Sequence, residues 1–288
     1  PPPCGKPQGD ASWVPLKWLA RGLHGLHRAL FLFRHNNKEP GVAIFGIDTF
    51  CRDTIDKELI PNCFKSASGD TSYLHWLLTG WGTAVSLALL ALVVAMAFGI
   101  LMGILRTTPN KWLVLLGDVW TEVFRNVPLI IQLFIWYFVV PAMFPALKAV
   151  PGFVLAFVGL GLFTSSRISE QIKAGIQSLP KGQRYAGLAM GLTLPQTYHH
   201  VLLPMAFRIV IPPLTSESMN IVKNSSVAFA VSVSELTMFA RQAGEETSQP
   251  VLMFLAVTLL YFVSAFAINR VMKWIEVKVR VPGMIGGK

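Results

Sequence analysis

An all-α, polytopic membrane protein is predicted by three features of this sequence. They are its composition, its apolar runs of bilayer length, and the way basic residues alternate between the connections joining those runs. Of 288 residues, 53% are hydrophobic and 14% are charged, with a mean hydropathy of +0.52. So little charge cannot cover a soluble protein of this length, whereas lipid accepts an apolar exterior when backbone polar groups are bonded within helices. A net charge of +10 would suggest nucleic acid for a soluble chain. Here Lys and Arg collecting in cytoplasmic connections account for it, and nucleic acid is discounted as a partner.

Residues 1–67 form a segment of unclear status. Three prolines open it, no Met occurs before Met96, and the apolar stretch from Trp13 to Phe33 is interrupted by Lys17, Arg21, His24, His27 and Arg28. That is too polar to span. It reads as a basic amphipathic helix on anionic lipid, a processed leader, or sequence foreign to the mature protein; the missing start Met favours a fragment or an unusual start. The cysteines, Cys4, Cys51 and Cys63, all precede the first span. Cys51 and Cys63 could pair if their region is extracytoplasmic, and no Cys or His spacing suggests a metal.

Residues 68–288 read as one membrane domain of about five spans. The first is an uninterrupted apolar run from Thr83 to Leu105, closed by Arg106 and containing Gly99 and Gly103 as GxxxG, a spacing that permits close helix packing. The next apolar region, Trp112 to Phe144, exceeds one span; Asp118, Glu122, Arg125 and Asn126 mark an interfacial or tilted lead before a span over Val127 to Ala146. The third runs from Pro151 to Ser165 and continues into a stretch where Arg167 and Glu170, three apart on one helix face, could pair. A fourth, beyond Met205, carries Thr215, Ser216, Glu217, Ser218, Asn220, Lys223, Asn224, Ser225 and Ser226; if it spans, its centre must line protein or water and Pro212-Pro213 should break it, the other reading being an extramembrane loop between two short apolar pieces. The last covers Val251 to Val271.

Between the third and fourth spans lies Gly182 to Pro204, GQRYAGLAMGLTLPQTYHHVLLP, polar at Arg184, His199 and His200. Helical spacing places Tyr185, Ala189 and Leu192 near one side, and a break at Gly191 or Pro195 gives a short helix, a turn and a second segment ending at Pro204. The product is a knob at the membrane surface. This stretch resembles the signature loop of the permease subunits of bacterial ATP-binding-cassette importers: EAA, three residues, Gly, nine residues, Ile-x-Leu-Pro. Tyr185, Ala186 and Gly187 stand at the first three places, Gly191 at the glycine, and Val201, Leu203 and Pro204 at the end. Tyr185 replaces the family's Glu and Gly187 its Ala, so no role resting on that Glu carries over.

Further stretches carry the same resemblance. Phe124 to Gln132, FRNVPLIIQ, is similar to the Phe-Arg-x-x-Pro-Leu-x-x-Gln of polar amino-acid permeases; for Arg125 alone, an interfacial anchor reads equally well. Glu170, Gly182 and Gln183 match positions leading into the loop, and NIVKNSS followed by SEL matches Lys-x-Ser-Ser and Glu-Leu. The tail, a basic segment before Pro282 to Lys288, resembles that of glutamate and aspartate permeases. The resemblance implies a five-helix importer permease core whose knob is a coupling helix. It further implies two cytoplasmic ATPase subunits, a sister permease or second copy, and an extracytoplasmic amino-acid-binding protein.

Topology follows from charge. Arg106 and Lys111, then Lys173, Lys181 and Arg184, then the tail cations mark one side, while the other two connections hold only Lys148 and Arg241. The knob and C-terminus are therefore expected in the cytoplasm and the start of the domain outside. No G-x-x-x-x-G-K-[ST], G-x-S-x-G or H-E-x-x-H pattern occurs, so the chain is expected to hold no catalytic residue, cofactor or metal, and ATP hydrolysis belongs to a partner. Candidate substrate-path residues are Arg125, Arg167, Glu170, Asn220, Lys223 and Ser225. The cations Arg125, Arg167 and Lys223, with few acidic partners in sequence, suit an acidic substrate. The competing readings are a stand-alone secondary transporter or channel, for which no inverted repeat is visible, and a membrane anchor, which leaves the polar centre unexplained.

Overall fold

The computed structural model describes residues 47–54, 63 and 72–279. The expectations for the amphipathic stretch of residues 13–33 and for the Pro282 to Lys288 motif lie outside the described residues. Helices account for almost all of what is described, and Asp53 and Ser72 form an isolated antiparallel bridge.

Helix α1, Tyr73–Leu105, starts ten residues before the apolar run because Ser72 caps it, its hydroxyl oxygen accepting from the His75 N–H at 3.2 Å. Its 33 residues reach about 50 Å, more than a hydrocarbon layer needs. The excess carries a small cap built from residues 47–54. Cys51 and Cys63 form a disulfide, Thr49 donates to Gln249 at 3.2 Å, and Tyr73 donates its phenolic proton to Glu246 at 2.8 Å.

Helix α2, Lys111–Asn126, and the helical segment α3, Leu129–Met143, meet at a bend of 103°. Pro128 forces Val127 out of the helical region, to φ −91° and ψ 129°. Gln132 then donates to the freed carbonyls of Phe124 at 2.8 Å and Val127 at 2.9 Å, which gives the last residue of the FRNVPLIIQ stretch a structural task.

Helix α4, Gly152–Gln177, continues beyond the apolar span ending at Ser165, through Arg167 and Glu170 as expected, and packs along α1 more extensively than along any other helix. The GxxxG glycines lie in that seam: a Cβ on Gly99 would sit 2.6 Å from Ile168 Cβ, and one on Gly103 2.6 Å from Ile172 Cβ. On the other side Gly161 approaches Val94 and the Ala91 carbonyl. Small residues on both helices thus let the backbones close together, where dispersion and Cα–H contacts replace a hydrophobic drive that lipid does not supply.

Two more helices complete the bundle, α7, Leu203–Asn224, and α9, Pro250–Val279, after the short α5, Lys181–Ala189, and α6, Leu194–Thr197, that form the knob; α8, Leu236–Thr247, packs against the N-terminal part of α1. Among the described residues α1, α4 and α9 are long and apolar enough to span, and α2 with α3 makes a fourth if the bent pair is one span. The expected fourth span, α7, falls below that measure because of its polar residues, yet it is packed against both α4 and α9. The expected break at Pro212-Pro213 does not occur, since both prolines lie inside a continuous α7. Proline fixes a helical φ, and packing against neighbouring helices holds the helix across the missing N–H groups. The interruption comes at the end of the polar stretch instead, where Ser225–Val231 tightens to a 3-10 helix ended by Ser232 at φ 58°. Glu235, fully buried, then caps α8 by accepting from Thr237 N–H at 2.9 Å and Met238 N–H at 3.1 Å, with the Tyr261 hydroxyl donating at 2.9 Å.

Candidate functional site

The knob is built as its sequence spacing predicts at its tip and differently at its exit. Helix α5, Lys181–Ala189, ends in a turn at Gly191, whose φ of +83° is the left-handed geometry that favours glycine. Thr193 and Gln196 then close a capping box over α6, Leu194–Thr197, with Pro195 in its first turn, so Gly191 and not Pro195 makes the break. Gly187 is buried, and a Cβ there would lie 2.8 Å from Thr197 Cγ2. The departure from the family's Ala is thereby explained: α5 and α6 touch at that point. Tyr185 and Met190 are 65% and 83% exposed, and Leu188, Ala186 and Gly191 are exposed beside them, a small apolar tip.

The second segment does not end at Pro204. From α6 the chain passes through one π turn, Tyr198–Leu202, closed by the Leu203 N–H on the Tyr198 carbonyl, and continues into α7. The wide turn takes up the register change, and Pro204, exposed, falls in the first turn of α7 where its missing N–H costs little. Val201 and Leu203 are half-buried on that exit. His199 and His200 are both exposed, as expected of knob surface, with their rings edge to face at 4.5 Å. Among the described residues no three His, Cys, Asp or Glu are grouped as for a metal.

Inside the bundle the charges pair otherwise than sequence spacing suggested. Arg167 and Glu170 do not bond each other. Glu170 lies on the side of α4 facing α1 and α2, where Arg106 Nη2 meets it at 2.9 Å and Arg125 Nη1 at 3.4 Å. Arg106 is the hub: buried, it also holds Asp118 at 2.6 Å and donates to Ser169 at 3.3 Å, while Lys173 reaches Asp118 at 3.4 Å. Gly117 makes room for it, since a Cβ there would lie 2.5 Å from Arg106 Cγ. Sequence reading counted Arg106 only as a charge ending a span; the signal available was Asp118 and Glu170, carboxylates near membrane level that need a cation.

Arg167 lies on the face of α4 that meets α7. Its Nη1 is 3.9 Å from Glu217 Oε2, Gln171 donates to the same carboxylate at 3.4 Å, and Asn220 stands beside it. Glu217 is buried, whereas nearly half of the Arg167 side chain is exposed. Thus Arg125 and Arg167 each have an acidic partner, correcting the expectation of unmatched cations. Of the candidate path residues, Arg167 and Asn220 share the Glu217 cluster and Arg125 and Glu170 share the Arg106 cluster. Lys223 is exposed, and Ser225 is buried with its hydroxyl on the Val222 carbonyl at 2.7 Å.

A helical bundle with long apolar helices, a polar seam at membrane depth and an apolar-tipped surface knob defines a multi-pass transport protein of the membrane. The chain belongs to the family of binding-protein-dependent transport system inner membrane components, whose pattern matches residues 95–281. It is therefore an inner-membrane protein. Its sequence is 44% identical over 230 residues to the glutamate/aspartate import permease protein GltJ of Escherichia coli (strain K12), covering 76% of this chain and 94% of that one. It is 36% identical over 192 residues to the probable glutamine ABC transporter permease protein GlnM of Bacillus subtilis (strain 168), covering 65% and 88%. The fold is that of the protein in the crystal structure of an amino acid ABC transporter with histidines, with a TM-score of 0.63 at 23% identity, covering 72% and 95%.

Proposed function

We propose that this chain is the transmembrane permease subunit of an ATP-driven importer of glutamate and aspartate. It works beside a sister permease or a second copy of itself, over two cytoplasmic ATPase subunits, and receives substrate from an extracytoplasmic binding protein. The observation that carries the reading is the knob: an exposed apolar tip of Tyr185, Leu188 and Met190 on a rigid turn, at the family's loop spacing, needs a partner surface to cover it. The substrate class rests on the 44% identity to a permease named for glutamate and aspartate. Alternating charge in the connections supports a cytoplasmic knob and C-terminus, and the Cys51–Cys63 disulfide at the opposite end of α1 supports an oxidising, extracytoplasmic side there.

The continuity of α7 supplies the mechanism. A motion of Tyr185, Ala186, Gly187 and Gly191 against the ATPase passes through the π turn and the Val201, Leu203 and Pro204 exit into a helix with no break before Glu217. From Leu203 to Glu217 is about 21 Å of helix. Displacing Glu217 relative to Arg167 exchanges partners at the polar seam, a two-state change that ATP-driven closure biases. Arg167, held by a long contact and half open, is the cation placed to take a substrate carboxylate in place of Glu217.

The test is uptake of labelled glutamate, aspartate, glutamine and arginine into vesicles holding the complete importer, with and without ATP. Uptake confined to the acidic pair and dependent on ATP is the expected result; uptake driven by an ion gradient without the ATPase would overturn the proposal. In the same vesicles Tyr185→Asp with Met190→Asp should lower ATP-dependent uptake by about tenfold or more, with the yield of folded permease within twofold of wild type. Arg167→Leu should lower glutamate uptake by about tenfold while leaving complex assembly within twofold. Equal loss of uptake and assembly would assign Arg167 to the structural pair with Glu217.

A further inference from the structure

Beside the knob the structure holds an open cavity of about 260 Å³ lined by the ends of α1 and α4, the start of α5 and the π turn. Arg106, Thr107, Lys181, Arg184, Tyr198 and Leu202 contribute to its wall, which contains three cations and no carboxylate. The charge of Arg106 is already matched by Asp118 and Glu170. Those of Lys181 and Arg184 are not: neither forms an ion pair among the described residues, and Arg184 Nε is buried without a hydrogen-bond partner. The first turn of α5 also lacks a side-chain cap. A buried guanidinium nitrogen left without an acceptor, next to a second free cation and an uncapped helix start, calls for an anion.

We infer that this cavity binds a phosphate group, presented by the headgroup of an anionic phospholipid or by free phosphate. Its volume lies below the roughly 300–1,000 Å³ of sites for drug-sized ligands, which suits a headgroup phosphate better than a whole nucleotide. Arg184 can meet two phosphate oxygens through its planar fork while Lys181 adds a point charge. Its position at the ends of α1 and α4 is headgroup level on the cytoplasmic side, where basic pockets between membrane helices meet anionic lipid; this step rests on the orientation proposed above. An anion seated there bridges the bundle to α5 and so sets how firmly the knob is held. The site belongs to the knob's root and leaves its apolar tip free.

The experiment titrates dioctanoyl phosphatidylglycerol, dioctanoyl phosphatidylcholine and inorganic phosphate against the detergent-solubilised full chain and against the assembled importer, with binding read by native mass spectrometry. Saturable binding of phosphatidylglycerol and not of phosphatidylcholine is expected in both preparations. Lys181→Gln with Arg184→Gln should weaken it about tenfold or more, and Arg184→Lys should restore part of the loss. Should the double variant fold poorly, raising the salt concentration on wild type gives the same reading, because charge-driven binding must fall. Phosphate that saturates the site and displaces the lipid identifies the free ion as the source; phosphate without effect identifies the headgroup. Equal binding of the two lipids, wild-type affinity in the double variant, or binding lost when the ATPase is present would overturn the inference. ATP-driven uptake measured on the same importer separates the two readings. Uptake without anion binding sinks only this one, and anion binding without uptake sinks only the transport assignment.

Discussion

Arg106→Gln is expected to lower the stability of the folded permease by about 2–3 kcal/mol. The substitution takes from Asp118 and Glu170 the buried guanidinium that holds them at 2.6 and 2.9 Å, leaving Asp118 only Lys173 and Glu170 only Arg125, each at 3.4 Å, and removes a donor from Ser169. Breaking a fully buried pair costs about 3–5 kcal/mol, but both carboxylate side chains keep more than a third of their surface exposed, so solvent takes up part of the loss. Arg106→Lys should recover little, because an ammonium on a flexible stem cannot bond two carboxylates and a hydroxyl in one plane. Arg106→Gln combined with Glu170→Gln should recover part, since it removes one of the stranded charges. Thermal unfolding of the detergent-solubilised chain, followed by size exclusion, checks all three. A midpoint for Arg106→Gln equal to wild type would show that the network holds nothing together.

That network also shows where sequence reading stops. The apolar runs located α1, α4 and α9, because a helix in lipid must be apolar along its length and this can be counted residue by residue. The knob was legible for a similar local reason: Gly191 and Pro195 mark a break whether or not the rest of the chain is known, while the left-handed turn at Gly191 and the Thr193 cap belong to the structure. Ion pairing is not local. Arg167 and Glu170 are one turn apart, yet they face different helices, and the partners they choose, Glu217 and Arg106, are 50 and 64 positions away in the chain. The path of α7 was misjudged at Pro212-Pro213 and at Pro204 on one principle. Proline removes a donor, but whether the helix breaks there depends on its surroundings: at Pro212-Pro213 packing against neighbouring helices holds α7, and at the exposed Pro204 the π turn takes up the register change. The bend between α2 and α3, by contrast, was visible as a change of character before Pro128, and Gln132 sits four residues later to satisfy it.

The packing that fixes the bundle leads to the second large effect. Gly103→Leu should destabilise the folded chain by about 3 kcal/mol or more, the upper end of the cost of overpacking, and Gly99→Leu by a similar amount. Even a bare Cβ at these positions would stand 2.6 Å from the Cβ of Ile172 or Ile168, and 3.0 Å from the carbonyl oxygen of Ser169 or Ser165. Those contacts are to branch points and backbone, which cannot swing aside as the end of a flexible side chain would. The helices would have to separate, and separation would draw Glu170 and Ser169 on α4 away from Arg106 at the end of α1. The two predictions are therefore coupled. Gly103→Leu with Arg106→Gln should cost less than the sum of the single changes, since each already loosens the contact that the other needs. Replacing Ile172 by Gly, which removes both the Cβ at 2.6 Å and the Cγ2 at 2.7 Å, should relieve the side-chain clash but not the carbonyl contact, so rescue of Gly103→Leu should be partial, and fuller for Gly103→Ala. Unfolding midpoints of the singles and doubles measure this. Full additivity would mean that the α1–α4 seam and the charge network stand independently.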